Sequence, residues 1–227
     1  MNQSLLFIGL LLNLSTGWGQ SARPALSNGV VTYTAEDGQL REMRVGVPCA
    51  DLWTSPDGNV IAFIGIEKAR PAMGRTTEPF IEESSIFVAR KEDGFKPVHF
   101  AVNVELDGRS WKIAREPKLS PNLSKLYFFV PNSMTSWTLV TRPLNVDTGS
   151  IVSRGSEYCV IWGGSDSGDL VILTRMGPGR ADPEGGVTYP CYVRAASGST
   201  TKLADECFAA FDKLADHWSR EHGGICR

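Results

Sequence analysis

The residues of this chain that could do chemistry are a serine set between acids, three histidines, a few acidic pairs and five cysteines. Asp166-Ser167-Gly168 places a hydroxyl beside Asp166 and Asp169, and His99 is the one histidine that precedes it. Nucleophilic catalysis needs a base within hydrogen-bond reach of the hydroxyl and a third group to orient that base. Nothing in the spacing secures either, so the segment reads as a polar turn. His217 and His222 stand five apart, not at the i, i+4 spacing of a helical zinc pair. His99 alternates with apolar neighbours in Pro97-Val98-His99-Phe100 and reads as a sheet residue. The acidic pairs Glu82-Glu83, Asp166/Asp169 and Asp182/Glu184 lack the order of a calcium loop. A glycosidase pair is a relation in space that spacing does not show. The Met176-Gly177-Pro178-Gly179-Arg180 stretch is no phosphate cradle, because no helix follows and proline interrupts it. The sequence thus assigns no catalytic residue, no metal ligand and no cofactor.

The cysteines take their meaning from the start of the chain. Leu5-Leu6-Phe7-Ile8-Gly9-Leu10-Leu11-Leu12 is an apolar run of secretory-leader length, followed by the small residues Gly17 and Gly19. A cleavable leader is expected over 1–22, with one domain over 23–227 and a periplasmic or secreted location. In such a compartment Cys159, Cys191, Cys207 and Cys226 are disulfide candidates, with Cys49 left over. Cys207 or Cys191 is expected to pin the C-terminal segment through Cys226. No later stretch is long and apolar enough for a membrane helix. Lys and Arg number 23 against 25 Asp and Glu, a net charge of −2 that makes no electrostatic case for nucleic acid or an anionic membrane.

The elements that must position these residues are strands. Short runs rich in Val, Ile, Phe and Tyr recur at 30–34, 40–47, 59–66, 85–90, 98–106, 110–114, 125–130, 137–142, 157–162, 170–175 and 187–194. Turn residues separate them, Asp37-Gly38 and Asp107-Gly108 among them. This spacing predicts a mainly β, antiparallel architecture. The C-terminus breaks the pattern: Leu203, Cys207, Phe208, Phe211, Leu214, Ala215 and Trp218 form one stripe, predicting an amphipathic helix over 201–222 that packs on the β core. Trp53, Trp111, Trp137 and Trp162 lie in or beside strands and are expected to pack in the core.

An internal repeat is the most informative pattern. Asp51-Leu52-Trp53-Thr54-Ser55-Pro56-Asp57-Gly58 leads into an apolar strand, as does Pro117-Lys118-Leu119-Ser120-Pro121-Asn122-Leu123-Ser124, with Ser55 and Ser120 standing 65 residues apart. A third unit at Gly168-Asp169-Leu170 has lost the Ser-Pro. This pattern resembles the S-P-D-G repeats of TolB-like periplasmic propellers, over roughly 51–149. The resemblance implies a turn locked by its Ser and Asp side chains before each blade strand. A closed propeller takes at least about four blades, and the chain has room for about three. The expectation is a propeller-like stack of about three sheets, with a β-sandwich as the alternative.

A second resemblance is to periplasmic immunity proteins that neutralise type VI secretion peptidoglycan amidases. It implies a rigid loop that plugs the effector's cleft, and the matching turn is Asn132, Ser133, Met134, Thr135 and Ser136. The leading functional expectation is therefore a non-catalytic module whose partner is another protein. The alternatives are an envelope-complex assembly factor of the TolB-like type and a hydrolase on a propeller-like scaffold.

Overall fold

The computed structural model describes residues 23–35, 37–55, 57–71, 80–106, 108–120, 122–131, 137–162, 169–174, 190–194 and 199–205. Of 106, 155–162, 169–171, 173 and 174 it describes the backbone alone. Three sheets follow one another along the chain. The first holds β1 (Ala25–Ser27), β2 (Val30–Thr34) and β3 (Leu40–Met43). The second holds β4 (Cys49–Thr54), β5 (Val60–Arg70), β6 (Phe80–Arg90) and β7 (Val98–Ala101). A small hairpin of β8 (Val104–Leu106) and β9 (Arg109–Trp111) leads to the third sheet. That sheet runs in order through β10 (Arg115–Leu119), β11 (Lys125–Pro131), β12 (Trp137–Pro143), β13 (Ser150–Trp162), β14 (Asp169–Thr174), β15 (Cys191–Arg194) and β16 (Thr200–Ala204). Every pairing is antiparallel and between consecutive strands. A sandwich would exchange strands between sheets by Greek-key connections; these sheets are local meanders, which is the propeller-like alternative.

The cores explain why the strand runs are apolar on both sides. Val60, Ala62 and Ile64 on β5 pack with Ile86 and Val88 against Leu126, Phe128, Val130 and Val140 of the third sheet. Their neighbours Ile61 and Phe63 turn the other way and pack with Phe87, Ala89 and Phe95 against Val31 and Met43 of the first sheet. Period-2 alternation sends successive side chains to opposite faces. The middle sheet is therefore covered on both faces, and its strands read as continuous apolar runs rather than alternating ones. Tyr127, Phe129, Leu139 and Ile172 form a further cluster on the other face of the third sheet.

Trp53 and Trp111 pack partly buried on the first of these cores, and Trp137 on the last. Arg115 also stacks over the Trp137 ring at 4.9 Å.

The seven-strand length of the third sheet comes from β13. Its first half, Ser150 to Ser156, pairs with β12, and its second half, Ser156 to Trp162, pairs with β14. One long strand thus closes one meander and opens the next.

The helix expected over 201–222 needs correcting at its start. Thr200–Ala204 is β16, paired with Cys191–Arg194. The open edge of β15 offers backbone partners that a helix could not use, and two consecutive threonines suit a strand. The remainder of that segment lies outside the described residues, as does the leader expected over 1–22.

Candidate functional site

The repeat folds into two matching turns. In the first, Ser55 Oγ donates to Asp57 Oδ1 (2.5 Å) and accepts the Val60 N–H (2.9 Å), while Asp57 Oδ1 also accepts the Asn59 N–H (3.0 Å). In the second, Ser120 Oγ donates to Asn122 Oδ1 (2.7 Å) and accepts the Lys125 N–H (3.0 Å), with the Ser124 N–H on Asn122 Oδ1 (3.2 Å). Both serines are buried. The turn residue after the Asx takes φ 74° at Gly58 and φ 59° at Leu123. The serine's hydrogen-bonded ring is closed by backbone as well, since Ser55 and Ser120 donate to the Val60 and Lys125 carbonyls. An Asx side chain that accepts from the backbone two residues on is the usual lock of such a turn. The Ser55–Asp57 bond, then the Asn59 N–H, hold the Asp57 carboxyl below its ordinary pKa.

These turns position the strands that precede them, β4 and β10, which are the first strands of neighbouring sheets and lie against each other. Each carries the same irregularity. Asp51 (φ 49°) and Glu116 (φ 48°) stand in the left-handed region, inside register shifts at Ala50/Trp53 and Arg115/Lys118. A bulge re-aims one side chain out of the ladder, and bulky residues rarely adopt this conformation without a reason in the surroundings. The two positions are 65 residues apart, the repeat offset, and Asp51 Oδ2 accepts the Glu116 N–H at 3.2 Å. Both residues are exposed. Yet enough protein surrounds the Glu116 carboxyl that its pKa is raised, first by desolvation and further by the Asp51 charge, against the lowering pull of Lys118 and Arg115. A carboxylate that binds the Glu116 backbone and a Glu116 carboxyl of raised proton affinity thus lie where two sheets touch. The sequence reading missed them. Its repeat began at Asp51 in one unit but at Pro117 in the other, one residue short of Glu116.

A serine–histidine contact also forms. His99 Nε2 lies 2.8 Å from Ser85 Oγ and 3.8 Å from Glu67 Oε1, with its ring edge-on to Phe87 at 5.2 Å. A catalytic triad has serine and acid on opposite ring nitrogens; here both address the same one. Ser85 is 5% exposed, which shields its hydroxyl from a substrate carbonyl. This group satisfies a sheet histidine. Glu82 and Glu83 lie in β6, Glu82 paired with Lys68 and Arg70, and Glu83 with Lys112. No group of three or more metal-ligating side chains occurs among the described residues.

Of the sequence-assigned site, Asn132, Ser133, Met134, Thr135 and Ser136 lie outside the described residues, as do Asp166-Ser167-Gly168, His217, His222, Cys207 and Cys226, and the side chain of Cys159. Cys191 is buried on β15 and disulfide-bonded, its pairing lying outside the described residues. Cys49 is a buried free thiol, and burial raises its pKa. No helix among the described residues is long and apolar enough to cross a membrane.

No family model matches the chain, and no curated protein does. Solved structures do. The crystal structure of the tricorn protease matches at TM-score 0.52 and 14% identity, over 81% of this chain and 16% of that one. The β-propeller domain of the Trilobed protease from Pyrococcus furiosus gives TM-score 0.45 and 14% identity over 82% and 57%. A prolyl endopeptidase structure gives 0.44 and 14% over 81% and 29%. The chain spans less than two thirds of each of these chains. The matches overturn the leading expectation of a non-catalytic partner-binding module and its immunity-protein version. At 14% identity the likeness to the tricorn protease shows the fold, a propeller-type β scaffold. Of the TolB-like resemblance the coarse part stands: the chain has a propeller-type β fold.

Proposed function

We propose that this chain is a hydrolase on a propeller-like scaffold, acting on peptide amide bonds, with Glu116 and Asp51 as its acid and base. The observation that carries the reading is the pair of carboxyl groups at the same repeat position of touching first strands. The environment raises the proton affinity of one of them. A carboxyl group whose environment raises its pKa is suited to the acid role. Asp51 takes a proton from water, the resulting hydroxide adds to the amide carbon, and Glu116 gives its proton to the leaving nitrogen as the C–N bond breaks. The buried Ser85 offers a substrate no comparable access. The likeness to the tricorn protease supports peptides as the substrate class, and the leader expected over 1–22 supports an exported enzyme.

The test is turnover of an internally quenched peptide panel by the purified full chain. Glu116→Gln and Asp51→Asn should each lower kcat by about 10²-fold or more, the size of a general acid–base contribution, with Tm unchanged or raised at pH 7. Absence of turnover across the panel, or full activity in both variants, refutes the reading.

A further inference from the structure

A cavity of about 310 Å³ opens between the first sheet and the turn after β6, and neither Asp51 nor Glu116 lines it. Its walls include Tyr33, Asp37, Arg41, Lys91, Gly94 and Phe95. One side is aromatic: the Tyr33 and Phe95 rings lie 4.7 Å apart and tilted by 49°. Phe95 is buried, yet stands in the left-handed region at φ 57°, directly after Gly94 at φ 64°. The turn is held there by Gly94 N–H on the Lys91 carbonyl (2.9 Å) and Phe95 N–H on the Arg90 carbonyl (2.8 Å). Strained non-glycine conformations persist where surroundings over-determine them, and ligand clamps are among those places.

The other side is cationic. The Asp37 carboxylate is already engaged: Oδ1 accepts the Gln39 N–H (3.0 Å) and Oδ2 accepts Arg41 Nη2 (2.6 Å). Arg41 keeps further N–H donors, and the half-buried Lys91 has no ion partner among the described residues. An aromatic wall with a spare ammonium and a spare guanidinium edge matches one ligand chemistry. We infer that this cavity is a binding site for a monocarboxylate on a flat apolar or aromatic body, with the carboxylate on Lys91 and Arg41 and the body against Tyr33 and Phe95. A free aromatic acid and the C-terminal residue of a peptide share that chemistry. The inference does not rest on the acid–base reading.

The experiment is calorimetric or NMR titration of the full chain with N-acetyl-phenylalanine, its amide, Ala-Ala-Ala-Phe and inorganic phosphate. The site predicts saturable binding of N-acetyl-phenylalanine, weakened about tenfold by amidation or by Lys91→Met, as expected for losing one contact to a charged group. Stronger binding of the tetrapeptide identifies a peptide C-terminus as the source, and equal or weaker binding identifies the free acid. Lys91 is only half-buried, so an unchanged Tm verifies the fold of the variant, and Arg41→Gln provides a second reading of the same contact. Equal binding of acid and amide, equal binding of phosphate, no saturable binding, or indifference to both variants overturns the inference.

Discussion

Replacing Asp57 with alanine tests how the repeat turn holds the fold. The carboxylate receives Ser55 Oγ (2.5 Å), the Asn59 N–H (3.0 Å) and Asn59 Nδ2 (2.8 Å). Ser55 is buried, so its hydroxyl is left without an acceptor when the carboxylate goes. Hydrogen bonds to a charged group are worth about 1.5–3 kcal/mol each when protected, and much less when exposed. Asp57 is exposed, so the sum is discounted to about 1.5 kcal/mol for the turn, or a fall of about 3–6 °C in Tm for a domain of this size.

The second turn supplies an internal control, because Asn122 fills the same position with Oδ1 bonded to Ser120 Oγ. Asp57→Asn should therefore lose less than half as much as Asp57→Ala. The pH dependence has a definite sign. The folded pKa of Asp57 lies below its unfolded value, through Ser55 first and the Asn59 N–H next. Its stabilisation is fully present above the ordinary carboxylate range and lost as pH falls through the folded pKa. The Tm gap between native chain and Asp57→Ala, followed by circular dichroism, should be widest near pH 7 and narrow towards pH 3. An unchanged gap, or Asp57→Asn as damaging as Asp57→Ala, would refute the reasoning.

Two further expectations concern the joints between sheets. Arg142 is buried, donating to the Val146 carbonyl (2.7 Å), the Ala101 carbonyl (2.9 Å) and Asp147 (2.6 Å), with its guanidinium 5.3 Å from the Phe100 ring centre. Because it ties β12 to the last strand of the second sheet, Arg142→Met should cost about 2–4 kcal/mol in urea unfolding, and a loss below about 0.5 kcal/mol would show the tie to be dispensable. The Cys49 thiol is buried with a raised pKa. A thiol reagent should therefore label it slowly in the native chain at pH 7 and at once in denaturant, as mass spectrometry can follow; rapid native labelling would contradict its burial.

Much of the architecture was legible because it is local. The Ser-Pro turns are closed by side chains two and five residues apart, so their residue types alone announce them. The apolar runs at 59–66 and 125–130 announce strands, and the structure buries β5 and β11 on both faces. Local pattern failed at 201–204, where a helical stripe yields to the unpaired edge of β15. Pairing with a neighbour is a property of the sheet and not of the segment.

The candidate site lay beyond the sequence for the same physical reason. Asp51 and Glu116 are two acidic residues on different strands until the sheets stack, and only then does one backbone N–H reach the other's carboxylate. Likewise His99 and Ser85 become partners only through the register of β6 with β7. The sequence by itself determined the strands, their turns and the repeat, because these rest on backbone preferences and hydrogen bonds within a few residues. Only the tertiary structure decided which ionisable groups face one another and which are shielded, because proton affinity depends on neighbours that the chain order keeps far apart.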